Sequence, residues 1–115
     1  MSIRDDLMKA GSVRPLTSVS CSDLGAGTVW LRVLTGAESD EYTKALMAND
    51  YKSAASSRAT LVALCLVDEA GTSIFTLADV PALMQWQRPL LDRLFMAAFN
   101  HNKLGVNDQV TLEGN

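Results

Sequence analysis

Few residues of this chain have a type and spacing that could do chemistry. Its single histidine, His101, could serve as a general base or join Cys65 in a nucleophilic pair, but no spacing supports that pairing. His101 falls near the end of a helical pattern, where partial positive charge complements the helix dipole. Cys21 and Cys65 lie far apart and, with one histidine, make no zinc-ligand spacing and no disulfide framework. Cys65 sits within an apolar run and reads as a small buried hydrophobe. Asp68 and Glu69 adjoin in a turn but lack the alternating ligands of a calcium loop. Gly25-Ala26-Gly27 has neither the lysine nor the following helix of a phosphate loop, so it reads as a hairpin turn. The expectation is a protein with no catalytic set, no cofactor and no metal site.

The elements that would position any site are more informative. The chain has 115 residues, 48% of them hydrophobic, enough for one domain with a real core. Net charge is −3 and the ten basic residues are scattered, so no basic patch points to nucleic acid. The longest apolar run, Ala59 to Val67, is far short of the roughly 20 residues that cross a bilayer, so no membrane partner is expected. The opening Met1-Ser2-Ile3-Arg4-Asp5-Asp6 is acidic where a signal peptide is positively charged, which predicts a soluble protein that stays where it is made.

From the N-terminus, Ser2 to Ala10 predicts a short helix with Ile3, Leu7 and Met8 on one side, stopped by Gly11. Thr17 to Leu34 predicts a β-hairpin turning at Asp23–Gly27, with Val29, Leu31 and Val33 on one face of its second strand and Trp30 and Arg32 on the other. Thr35-Gly36-Ala37-Glu38 is a capping box that opens a helix through about Ala48, with Tyr42, Ala45 and Leu46 inward. Asn49 to Ser53 reads as a mobile loop or helix break. Ala54 to Val67 predicts a central helix, apolar almost all round in its second half, which means burial on several sides or contact with another chain. Val62 and Val67 leave a strand open as an alternative there.

Asp68 to Gly71 makes a turn, and Ser73 to Phe75 a brief extended piece that returns Phe75 to the core. Thr76 to Asp79 looks like another helix cap, but Pro81 requires that helix to kink or to begin later. The last helix is predicted over Pro89 to His101. Taken together, residues 1–104 predict one mainly helical α+β domain, an N-terminal β-hairpin packed on a bundle of about four helices. Residues 105–115 read as a polar, flexible tail.

On the last helix, steps of about 100° from Leu90 place Leu94, Ala98, Leu91, Phe95 and Phe99 over half the circumference. One stripe is Leu90, Leu94 and Ala98; the other is Leu91, Phe95 and Phe99. Met96 lies outside both, among Asp92, Arg93 and Asn100. Either the helix is wedged between two others, or one stripe faces a partner together with Met96 and Trp86. The candidate partner-binding residues are therefore Trp86, Leu91, Phe95, Met96 and Phe99. Apolar surface of this kind also favours self-association into a homo-oligomer.

These segments, in order, resemble a known family. Thr35-Gly36-Ala37-Glu38 is followed by Leu61-Val62-Ala63-Leu64-Cys65-Leu66-Val67-Asp68-Glu69-Ala70-Gly71. Phe75-Thr76 with Asp79-Val80 comes next, then Leu91-Asp92-Arg93-Leu94-Phe95 with Ala97-Ala98. The whole, from Gly27 to Leu104, resembles the tail assembly chaperones of long-tailed, siphovirus-like bacteriophages and prophages. Pro81 and Trp86-Gln87-Arg88-Pro89 depart from the pattern at the junction of the last two helices.

The resemblance implies a non-enzymatic assembly factor that acts in the host bacterial cytoplasm and is absent from the mature virion. It implies binding to the tape-measure protein until tail-tube subunits polymerise around it. It also implies a longer form of the same protein made by a ribosomal frameshift. Two other readings stand beside it: a structural phage protein, such as a head–tail connector or tail-completion subunit, and a general helical adaptor or regulator.

Overall fold

A computed structural model describes residues 2–48 and 53–103. Its helices are α1 (Ile3–Ser12), α2 (Gly36–Ala48), α3 (Ala54–Cys65), α4 (Val80–Leu83) and α5 (Arg88–His101). Its strands are β1 (Leu16–Ser20), β2 (Thr28–Arg32) and β3 (Leu66–Val67), forming one antiparallel sheet in the order β1-β2-β3. The fold is α+β and mainly helical, with α3 packed against α2, α4 and α5, and α5 against β1 and β2.

The hairpin forms as its sequence suggests. Leu16 pairs with Arg32 and Ser20 with Thr28. The connection is a single 3-10 turn, Ser22–Leu24, closed by Gly25 at φ 90°, a conformation that costs little only without a Cβ. Leu31 is fully buried and Val29 packs on the core, so the face that carries them is the one that meets the helices.

The central element differs from expectation at its end. The helix predicted through Val67 stops at Cys65, and Leu66 and Val67 pair with Leu31 and Trp30 as a third strand. Leu66 already has extended backbone angles while its N–H still bonds to Val62 O, so the chain passes from helix to strand without a loop. Every residue from Ala59 to Val67 is buried, and an apolar run buried in both states carries no periodicity to mark the change.

Local capping signals are realised closely. Thr35 Oγ1 accepts from Glu38 N–H at 3.1 Å, and Glu38 Oε1 accepts from Thr35 N–H at 3.0 Å. Thr76 and Asp79 make the same reciprocal pair, but the turn they cap, Leu77–Asp79, is 3-10. The α-helix begins later, at Val80, where Pro81 falls in the first turn and its missing N–H has no helical acceptor to lose. Asp68 accepts from the N–H groups of Ala70 and Thr72, holding the turn before Phe75 returns to the core. The last helix begins one residue before Pro89, at Arg88.

At the N-terminus, Ser2 caps α1, which runs through the expected stop at Gly11 to Ser12. Every residue of α1 is exposed. Of the loop expected at 49–53, only Ser53, the N-cap of α3, lies within the described residues. The tail expected at 105–115 lies outside them.

Candidate functional site

The last helix is held in place by polar contacts along its length, and these decide which of its faces is free. At its start, Gln87 Nε2 donates to Leu24 O at 2.9 Å. Asp92 lies between Arg88 of its own helix, at 3.2 Å, and Arg58 of α3, at 3.3 Å. Arg93 grips Asp23 with both terminal nitrogens, at 2.6 and 3.0 Å, and donates to Ser20 O at 3.3 Å. The fork holds the Asp23 carboxyl below its usual range, first through its hydrogen bonds and then through its charge. Near the end of the helix, His101 Nε2 lies 2.8 Å from Pro15 O. The helical pattern places His101 at the helix end but does not foresee this contact.

Asn102 fastens the C-terminus of α5. Its Oδ1 accepts from Leu34 N–H at 2.6 Å. Its Nδ2 lies within donating distance of Ala98 O (3.0 Å), Arg32 O (3.3 Å) and Cys65 Sγ (3.5 Å). Beside it, Arg32 donates to Leu64 O at 3.1 Å, placing a cation at the C-terminal end of α3, and to Glu38 Oε2 at 3.0 Å. Arg14 bonds the other oxygen of Glu38 as well as Val33 O. Burial alone would raise the Glu38 pKa. The Thr35 N–H, Arg32 and Arg14 outweigh it and hold the carboxyl below its usual range.

Of these polar residues the sequence singles out His101 and the Thr35–Glu38 cap, but not the long-range roles of Arg14, Arg32, Arg93 and Asn102.

With the helix fixed in this way, the five candidate residues separate. The buried row is Leu91, Leu94 and Ala98, which runs between the two predicted stripes; the core is therefore wedged into the middle of the apolar half-circle. Leu91, expected at the partner face, is 4% exposed and belongs to the core. Phe95 and Phe99 flank that row, partly buried, with ring centroids 5.5 Å apart and tilted by 43°. Met96 points away from the core and is 51% exposed. Trp86 sits in the turn before α5, edge-on to Phe75 at 5.6 Å and packed on the core. The structure thus brings Phe95 and Phe99 together, places Trp86 with Phe75, and leaves Met96 as the most accessible of the five.

Other apolar surface surrounds this site. Ala45, Ala48, Thr60, Leu77, Val80 and Pro81 line an open groove of about 390 Å³ between α2, α3 and α4. Ile3, Leu7 and Met8 of α1 are 63–77% exposed.

Reactive groups are placed for packing. Burial pushes the Cys65 thiol up to about 12, against a lowering hydrogen bond from Asn102. Cys21 is buried as well, and both cysteines are free thiols. Among the described residues, no three His, Cys, Asp or Glu side chains are grouped to hold a metal ion. No helix among them is long and apolar enough to cross a membrane.

No family model and no curated protein matches the chain. A solved structure does resemble it, that of the bacteriophage HK97 tail assembly chaperone. The match has a TM-score of 0.60 and covers 85% of this chain and 94% of that one, at 14% sequence identity. At that identity the likeness is one of fold.

Proposed function

We propose that this chain is a tail assembly chaperone of a long-tailed phage or prophage. It binds the tape-measure protein and helps recruit tail-tube subunits, acting in the host bacterial cytoplasm without entering the virion. The observation that carries the reading is the fold shared with the HK97 tail assembly chaperone over most of both chains. The ordered segments from Thr35 to Ala98 point the same way by a separate route.

The surface has the physical character such a role needs. A tape-measure client offers long apolar helical stripes, and a temporary holder needs accessible, adaptable apolar groups of moderate affinity. Met96 supplies a flexible exposed thioether, with Phe95 and Phe99 beside it on the same helix. Leu91 contributes from beneath by fixing the helix, and Trp86 from the preceding turn. A longer frameshifted form of the protein would add contacts of its own.

Purified phage particles and lysates of a strain lacking this gene test the reading. The expected result is that the chain is abundant in infected or induced cells, missing from purified particles, and required for tails to form. Stoichiometric presence in particles would overturn it in favour of a structural connector or tail-completion subunit.

A further inference from the structure

Where β3 ends, the sheet opens into a cleft of about 360 Å³. β2 and β3 pair only at Leu31–Leu66 and Trp30–Val67. Beyond Val67 the chain turns away, and Asp68 N–H bonds to Thr72 O at 2.9 Å. Thr28 and Trp30 line the cleft from β2, and Asp68, Glu69 and Ile74 line it from the segment after β3. Its backbone is open on one side. Cys21 N–H donates to Gly27 O at 3.1 Å, and bonded pairs alternate in an antiparallel ladder, so Thr28 and Trp30 turn their N–H and C=O groups away from β1. Trp30 meets Val67 there, but Thr28 has no strand opposite it, and its carbonyl faces the cleft. The acidic wall is already formed. Asp68 Oδ1 accepts from the N–H groups of Ala70 and Thr72, and Gly71 N–H closes the turn on Asp68 O at 2.9 Å. Among the described residues neither Asp68 nor Glu69 has an ion-pair partner. Arg32, two positions along β2 from Trp30, is held by Glu38 and Leu64 O.

We propose that this cleft receives an arginine side chain presented by an extended segment of a partner protein. Two carboxylates and a carbonyl call for a cation, and an indole beside them calls for a flat one. A guanidinium stacks on the half-buried Trp30 ring while its fork meets Asp68, Glu69 and Thr28 O. A lysine ammonium cannot stack and fork at once. Ile74, 51% exposed, gives an apolar neighbour of that arginine a place to rest. The chain's own remaining segments do not complement the cleft. Residues 104–115 contain Asp108 and Glu113 and no lysine or arginine. Lys52 is separated from β3 by the 12 residues of α3, about 18 Å of helix. The inference stands apart from the chaperone reading, since no residue of α5 lines this cleft.

Titration of the isotope-labelled full chain with the peptide acetyl-Val-Arg-Val-amide, followed by nuclear magnetic resonance, tests it. The same peptide with glutamine in place of arginine is the control. The Trp30 indole N–H, assigned by its loss in Trp30→Phe, should shift and saturate in the millimolar range, together with the backbone N–H groups of Glu69 and Ile74. The indole of Trp86, which does not line the cleft, should stay where it is. The glutamine peptide should bind at least about tenfold more weakly. Glu69 is exposed, so Glu69→Gln should keep the wild-type melting temperature and weaken the arginine peptide by about threefold or more. Raising the salt concentration should weaken it as well. The absence of any saturable shift at Trp30 would overturn the proposal. So would equal binding of the two peptides, or binding indifferent to Glu69→Gln.

Discussion

Helices α1 and α3 begin alike, each capped by a serine hydroxyl that accepts from the N–H three residues on, and they end in opposite environments. The first has a clear apolar side in Ile3, Leu7 and Met8, yet every one of its residues is exposed. The second has no polar side in its second half and is buried from Ala59 to its end. An apolar stripe therefore marks a helix able to pack, not one that does so within its own chain. A helix apolar all round must be surrounded, because no orientation would keep its side chains from water. Ten residues are also too few for a helix to be robust in isolation, so α1 should be the less protected of the two.

Substitution on each helix should sharpen this contrast. Leu61 of α3 is fully buried, and Leu61→Ala should cost about 2–5 kcal/mol in chemical denaturation, through lost burial and the cavity left behind. Leu7 of α1 is 65% exposed, and Leu7→Ala should change stability by no more than about 0.5 kcal/mol. Comparable losses at the two positions would mean that α1 is packed in solution.

A smaller effect belongs to the polar cluster that ties β1, β2 and α2 together. Glu38→Gln removes a carboxylate shared by Arg14 and Arg32 and should cost roughly 1–3 kcal/mol near neutral pH. The Glu38 pKa is lower folded than unfolded. Its contribution is therefore full above the unfolded carboxylate range and is lost as pH falls through the folded value. Wild type and variant should converge in stability only as pH falls below the usual carboxylate range, as urea titrations across pH would report. A constant gap at all pH values would contradict the ion-pair account.

Thiol chemistry offers the mildest probe. Cys21 and Cys65 are buried, and the Cys65 thiol is held protonated by a pKa pushed up to about 12. A thiol reagent at pH 8 should label neither in the native protein and both after denaturation. Rapid native labelling of Cys65 would show that the contact between α3 and α5 opens readily.

How much of this was legible follows from the reach of each interaction. The two capping boxes, at Thr35 and Thr76, need only residues three apart, and both were readable. Pro81 narrowed α4 locally to a kink or a later start, and the helix has the later start. The end of α3 was not readable, because helix and strand look alike within an apolar run and only pairing with β2 decides between them. The roles of Asn102, Arg93 and Glu38 depend on segments far away in sequence, so residue type alone could not announce them. For the candidate site, the apolar half-circle of α5 was visible, but its buried centre line was not. That line separates Leu91, in the core, from Met96, in solvent.

Co-expression with the tape-measure protein of the same genome tests the central claim most directly, scored by how much of that protein stays soluble and co-purifies. The wild-type chain should capture and solubilise it. Met96→Glu should keep the wild-type unfolding midpoint and lower capture by about tenfold, as a loss near 1.4 kcal/mol would. If both proteins are folded and abundant and the tape-measure protein is neither captured nor made more soluble, the chaperone account is contradicted.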